Sequence, residues 1–378
     1  MVDTQQQFEA KSGDAMPGAQ AVRVRYGVDY TAGNPYQTLL YRAAGPQVQA
    51  APASVAAALA EIAQAPGPMI YHLHWEDHAL KGVNAAGAAE NVQALIDGLE
   101  ALKGAGCKLV WTRHNLRPHD AGHEEIHAAM IPHLTAIASV IHLHSWPALE
   151  ALAETEPVAL DKTVVIAHGN YVQHYAGWAA PAARQSFGFD AEAHVFLLFG
   201  RLGSYKQVAR TAEVFAGIDA PHARLLIAGV PAADDLKALP GDDRITLIAK
   251  AIPEAEVGRY FAAADTVLLP YRECLTSGTA LLAGGFSRGV LGTDVAGLRD
   301  VVRPGVSGML YAHGGIELAF RLALQEGRDA WLARGQVAGK HAALRDWRGP
   351  GRQWRDLFLG LAREPRTGDM TLARIAAP

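Results

Sequence analysis

The chain has 378 residues, 50% hydrophobic and 19% charged, a mixture that builds large buried cores and excludes a disordered chain. A net charge of −4 excludes a nucleic-acid binder that relies on bulk positive charge, and two cysteines, Cys107 and Cys274, exclude a disulfide scaffold and argue against a Cys-based zinc site, as expected in a reducing cytoplasm. The charge is uneven: residues 1–180 hold 10 Lys+Arg against 17 Asp+Glu and 12 of the 16 His, whereas residues 181–378 hold 24 basic against 21 acidic residues.

Residues 1–20 have neither a basic n-region nor an apolar h-region and read as a disordered lead. A strand is predicted over Ala21–Tyr26, followed by a loop to Gly33 and a helix starting around Tyr36, with Asn34 as cap and Pro35 in the first turn. Ser54–Ala65 reads as a helix capped by Ser54, and Met69–Leu73 as a short apolar strand running into His72-Leu73-His74-Trp75-Glu76-Asp77-His78. A long helix over Ala88–Lys103 precedes a strand over Lys108–Thr112, which runs into Arg113-His114-Asn115. Then come a helix over His123–Ala138, a strand over Val140–Leu143, a short helix over Pro147–Glu154 and a strand over Thr163–Ala167.

A second series begins near residue 190. Strands are predicted over Val195–Phe199, Arg224–Ala228, Ile245–Ile248, Thr266–Leu269 and Val290–Thr293. Helices are predicted over Val208–Phe215, Glu254–Ala264 and Thr276–Phe286. Such alternation means α/β layers with parallel sheets. Ala, Pro and Gly cluster over Ala176–Ala191, which marks a domain boundary. No run reaches the ~18–20 apolar residues that span a bilayer. No strongly basic amphipathic helix is evident, and peripheral membrane contact stays open. Residues 364–378 read as a loose tail.

Three places carry candidate chemistry. Gly200-Arg201-Leu202-Gly203-Ser204-Tyr205-Lys206 follows a strand and opens a helix. Glycine admits close backbone approach, a helix N-terminus favours an anion, and two cations suit a diphosphate, although a solvated loop with ordinary charges has the same appearance. Thr276-Ser277-Gly278 offers hydroxyls and free N–H groups at a second helix start, where Ser is also a standard cap. The His-rich set, His72, His74 and His78 with Glu76 and Asp77, then His114, His119 and Asp120, suits general acid–base work. His72 and His74 lie two apart on a strand and share a face that packing alone can explain. The repeat of the pattern at His142 and His144 points to polar strand ends rather than a metal site.

Taken in order, Phe199-Gly200-Arg201-Leu202 with Lys206, Leu225–Gly229, Tyr260–Pro270, Gly289–Val302 and Gly305–Gly308 resemble the donor-binding domain of a GT-B glycosyltransferase of the glycosyltransferase 4-like group, over about Val195–Leu310. The resemblance implies two Rossmann-like domains facing across a cleft: an acceptor domain at 21–180, a nucleotide-sugar domain at 181–345, and a helix at 346–363 that crosses back. It implies a nucleotide sugar held by Gly200, Arg201, Lys206, Thr276, Ser277 and Gly278, with the loop around Lys250 near the base. It implies no bound metal or cofactor, because the protein's own cations stabilise the leaving diphosphate. With Gly278 aligned to the family's glycine, the two glutamates of retaining members fall on Leu275 and Ala283, and Glu273 is out of register.

In the first half, Asn34-Pro35-Tyr36, His74-Trp75 and Trp111–Leu116 resemble a bacterial exopolysaccharide branch that includes inverting β-mannosyltransferases. That resemblance implies an acceptor, saccharide or lipid-linked, met by Asn34, Tyr36, His74, Trp75 and Asn115. An inverting reaction needs one base: Asp77 or Glu76, with His114 as rival. The expectation is a cytoplasmic glycosyltransferase, peripheral at the inner membrane at most. A non-catalytic glycan- or partner-binding protein and a nucleotide-sugar epimerase of the same build are the alternatives.

Overall fold

A computed structural model describes residues 21–118, 123–156, 159–172, 174–231, 236 and 239–363. The lead at 1–20, His119, Asp120 and the tail at 364–378 lie outside the described residues.

The first half alternates β1 (Val22–Gly27), α1 (Tyr36–Ala44), β2 (Val48–Pro52), α2 (Val55–Gln64), β3 (Met69–His74), α3 (Ala85–Gly104), β4 (Lys108–Thr112), α4 (Glu124–Ile137), β5 (Val140–Leu143), α5 (Trp146–Thr155) and β6 (Thr163–Val165). The strands form one parallel sheet in the order β2-β1-β3-β4-β5-β6. Its central strands are covered on both faces, so their side chains alternate between two cores. Val24, Ile70, Val110 and Val140 face one side, while Tyr71, Leu109, Trp111 and Ile141 face the other. The edge strand β2 has no counterpart in the sequence reading. Its sequence, VQAAP, holds one β-branched residue and ends in proline, which only an edge tolerates.

The second half runs α6 (Ala180–Ser186), β7 (His194–Phe199), α7 (Val208–Ala216), β8 (Ala223–Gly229), β9 (Ile245–Ala249), α8 (Glu254–Ala263), β10 (Thr266–Leu269), α9 (Gly278–Gly285), β11 (Gly289–Thr293), α10 (Ala296–Arg299), β12 (Gly308–Tyr311), α11 (Ile316–Glu326), α12 (Arg328–Leu344) and α13 (Arg348–Arg363). Its parallel sheet has the order β9-β8-β7-β10-β11-β12, that of a doubly wound dinucleotide-binding fold. α6 packs Ala183 against Ala262 and Ala263 of α8. Buried Arg184 donates to Asp265 at 3.1 Å, fixing the start of this half to its sheet.

α13 leaves the second half and packs on α1 and the first sheet. Trp354, Leu357, Phe358 and Leu361 are buried with Val22, Val24 and Tyr36. The backbone of α13 comes so close that a Cβ on Gly351 would stand 2.4 Å from the carbonyl oxygen of Ala43.

Candidate active site

In the second sheet the strand order reverses between β7 and β10, and a crevice opens beyond their carboxyl ends. Two loops leave there, Gly200–Gln207 and Pro270–Ser277. They are tied together: Gln207 Nε2 donates to the Pro270 carbonyl at 2.7 Å, and the Arg272 N–H to the Tyr205 carbonyl at 2.9 Å. Gly200 turns with φ 99°, and its carbonyl lies so close to Gly229 that a Cβ there would stand 1.7 Å away. Arg201 is exposed and lines the cleft. Lys206 is buried behind Gly200, where its ammonium donates to the Phe199 carbonyl, and burial pushes it down to about 7. Ser277 caps α9 by accepting from the Ala280 N–H at 3.1 Å, and Thr276, Ser277 and Gly278 all border the cleft. Lys250 is exposed past the end of β9; its neighbours Ala251 and Ile252 line the cleft instead.

The cleft has a volume of about 510 Å³ and is walled by both halves: Asn34, Pro35 and Asn115 from the first, and Tyr171 and Tyr175 from the segment between the sheets. Asn34 accepts from the Tyr36 N–H at 3.0 Å, two residues along rather than as the helix cap. His144 Nδ1 meets the Thr276 hydroxyl at 3.1 Å, a hydrogen bond from one half to the other. Tyr171 and Tyr175 carried no sequence signal, because their place at the cleft depends on the packing of the halves. Leu275 packs with Leu143, Ala148 and Leu152, and Ala283 is fully buried. Both positions of the retaining-type carboxylates are therefore apolar core, while Glu273 borders the cleft and pairs with Arg117 at 3.6 Å.

At the carboxyl ends of β3, β4 and β5 the histidines gather on the face that carries α13. His72, His74, His142 and His144 are buried, and burial drives all four well below the usual imidazole range, so they are neutral. Tyr36 is 2% exposed and gives its hydroxyl to the contact with His144 Nε2 at 2.9 Å. Tyr36 and His74 are thus parts of a packed polar core and present no surface to an acceptor. Trp75 is half-buried in a left-handed conformation (φ 45°) and stacks on His114 with ring centroids 4.2 Å apart. The carboxylate of Glu76 accepts from Trp111 Nε1 at 3.1 Å and meets His127 Nε2 at 3.4 Å. Asp77 is 2% exposed; Lys81 stands 3.4 Å away, and the carboxylate borders a separate cavity of about 340 Å³. None of the three expected bases lines the cleft; His114 is buried and next in sequence to the cleft residue Asn115. Among the described residues, no group of three or more His, Cys, Asp or Glu is placed to hold a metal, and no helix is long and apolar enough to cross a membrane.

The family model for group 1 glycosyl transferases matches residues 193–325. A GDP-mannose:glycolipid 4-beta-D-mannosyltransferase from Xanthomonas campestris pv. campestris is 31% identical over 283 residues, spanning 72% of this chain and 74% of that protein. A D-inositol 3-phosphate glycosyltransferase from Thermobispora bispora is 30% identical over 183 residues, 44% of this chain and 43% of its own. Among solved structures, Anabaena HepE in complex with UDP-glucose aligns at TM-score 0.68 and 16% identity over 90% of this chain and 99% of that one. Sucrose-phosphate synthase from Thermosynechococcus elongatus aligns at TM-score 0.64 and 16% identity over the same shares. At such identities the two structures speak to fold alone, and both share this two-sheet architecture.

Proposed function

Because this chain belongs to the group 1 glycosyltransferases of the GT-B fold, we propose that it moves a sugar from a nucleotide-diphosphate sugar, GDP-mannose first among the candidates, to a lipid-linked saccharide. The observation that carries this reading is the single cleft in which Arg201, Thr276 and the N-terminus of α9 face Asn34 and Asn115. The choice of donor and acceptor leans on the Xanthomonas relative. The setting is the assembly of a bacterial polysaccharide at the cytoplasmic face of the inner membrane.

The diphosphate lies against Arg201 and the N–H groups that open α9, over the buried ammonium of Lys206. These groups stabilise the charge that grows on the leaving oxygen, so the reaction needs no metal ion. The acceptor hydroxyl attacks the anomeric carbon from the opposite face and the bond to the diphosphate breaks. His114 takes the hydroxyl proton, and the product is inverted. Leucine and alanine in place of the paired glutamates support inversion. A second candidate base is Asp77, whose two carboxylate oxygens are buried without a hydrogen-bond partner among the described residues.

The test is transfer from labelled GDP-mannose, UDP-glucose and other nucleotide sugars to a lipid-linked saccharide, with and without chelator. We expect transfer from one donor class, a rate unchanged by chelator, and a rise in donor KM of about 10- to 100-fold in Arg201→Ala, the worth of a charge-assisted contact. His114→Ala should lower kcat by about 10²–10⁴-fold, the usual contribution of a general base. If Asp77→Asn abolishes turnover and His114→Ala leaves it intact, the base is Asp77. Failure to bind any nucleoside diphosphate would sink the reading altogether.

A further inference from the structure

Thr112 is in register with His74 on one side and His142 on the other, so the side chains of β3, β4 and β5 meet in a row under α13. The contacts form one unbroken line. His142 Nε2 stands 2.9 Å from the Ile166 carbonyl, and His142 Nδ1 2.9 Å from the Thr112 hydroxyl. The Thr112 hydroxyl is 2.7 Å from His72 Nε2, and His72 Nδ1 is 2.9 Å from the Tyr41 hydroxyl. The Tyr41 hydroxyl is 3.0 Å from His74 Nε2, and His74 Nδ1 is 3.1 Å from His114 Nε2.

The direction of every hydrogen bond follows from the first. A carbonyl only accepts, so His142 carries its proton on Nε2 and its Nδ1 accepts. The single Thr112 proton goes to that Nδ1, so the Thr112 oxygen accepts from His72 Nε2. His72 Nδ1 accepts the Tyr41 proton, the Tyr41 oxygen accepts from His74 Nε2, and His74 Nδ1 accepts from His114 Nε2. The argument needs neutral rings, and burial keeps His72, His74 and His142 neutral. The plane of the last ring is set from outside the row, since Trp75 lies parallel to His114 within 9°.

We infer that this row is a tautomer lock: Tyr41, His72, His74, Thr112 and His142 are positioning residues that hold the His114 proton on Nε2, so that Nδ1 is the basic atom of that ring. The consequence for rate rests on the proposed role of His114 in transfer; the proton order does not. A free neutral imidazole exchanges between two tautomers, and only one of them can take a proton at a given atom. Buried polar rows of this kind cost stability unless every member is satisfied, and each member here has its partner.

Histidine-selective 15N labelling of the full chain, read by long-range 1H–15N correlation, reports which ring nitrogen bears the proton. We expect Nε2–H at His72, His74, His114 and His142. Thr112→Val keeps the shape and removes the hydroxyl. His72 then loses its acceptor, the segment from His72 to His114 is free to reverse, and the His114 proton appears on Nδ1 in part or in full. In the same variant kcat should fall about tenfold, less than the loss of the whole base because part of the His114 population keeps the right tautomer, with donor KM within about twofold. Thr112→Ser should restore both readouts. Tyr41→Phe, which cuts the row at another link, should release His114 in the same way. The inference is overturned if His114 of the native protein carries its proton on Nδ1, or if both cuts, with the other histidine signals native, leave it on Nε2. A reversed His114 with unchanged kcat overturns the positioning role. The spectra decide the proton order even if Arg201→Ala and the donor panel sink the transferase reading.

Discussion

Lys206 is 2% exposed, and its ammonium sits against the Phe199 carbonyl and within 5.9 Å of the ring faces of Tyr205 and Tyr271. Burial costs the charged form more than these contacts return, which brings the group down to about 7. Between that value and the ordinary lysine range the unfolded chain binds a proton that the folded one lacks. This group's contribution to stability therefore rises with pH from about 7 and is lost as pH falls through about 7. A diphosphate in the cleft reverses the preference, since it favours the ammonium. Donor binding should take up a proton near neutrality and weaken as pH rises above about 7. Titration calorimetry with a nucleoside diphosphate, in buffers of different ionisation enthalpy across pH 6–9, measures both effects. Lys206→Met should bind more weakly with a flatter pH profile, and an unchanged profile would remove Lys206 from the donor site.

At the scale of elements, much of the core was legible and the edges were not. The apolar runs of β3, β7 and β10 announced themselves because both faces are covered, whereas β2 at the edge has too little β-branched content to signal a strand. The glycine turn at Gly200 was legible because sequence-local chemistry builds it. The imidazole row was legible only as a pattern: H-x-H on two strands says that the histidines share a face, and says nothing of what covers that face. The cover is α13, about 280 residues beyond the first H-x-H and about 210 beyond the second. Trp354 of α13 is 1% exposed and lies 4.9 Å from the His72 ring, 4.5 Å from the His142 ring and 5.2 Å from Phe358. Trp354→Ala opens a cavity over the row and should cost about 3–5 kcal/mol, as large aromatic truncations do. Urea unfolding followed by circular dichroism should show the loss in the transition that melts the first sheet. A loss under 1 kcal/mol would mean that α13 is not a structural part of that half.

At the scale of the whole molecule, chemistry is divided between two rigid sheets, and transfer depends on how they face each other. At the cleft the second half brings Arg201 and the N-terminus of α9 and the first brings Asn34 and Asn115, so the excess acids and the buried histidines of the first half lie outside it. The joint between the halves is small and tightly built. The Asn170 N–H donates to the Arg345 carbonyl at 2.7 Å, and Trp347 Nε1 donates to the Asn170 carbonyl at 2.8 Å. Arg345 pairs with Asp300 at 2.6 Å, and the Trp347 ring lies so near Gly169 that a Cβ there would stand 2.3 Å from it. Gly169 thus admits the tryptophan at the turn between α12 and α13, where the chain crosses from one half to the other. Gly169→Ala would push Trp347 off its seat and shift the halves without touching a donor contact. Diphosphate affinity, which the proposed donor site places within the second half at Arg201 and α9, should stay within about threefold, while kcat falls at least about tenfold, because displacing reacting groups by an ångström costs up to 10²-fold. Calorimetric binding and turnover, measured on the same preparation, separate this from simple destabilisation, which would lower both together. Equal losses in affinity and turnover would show that the joint supports the second sheet rather than setting the distance across the cleft.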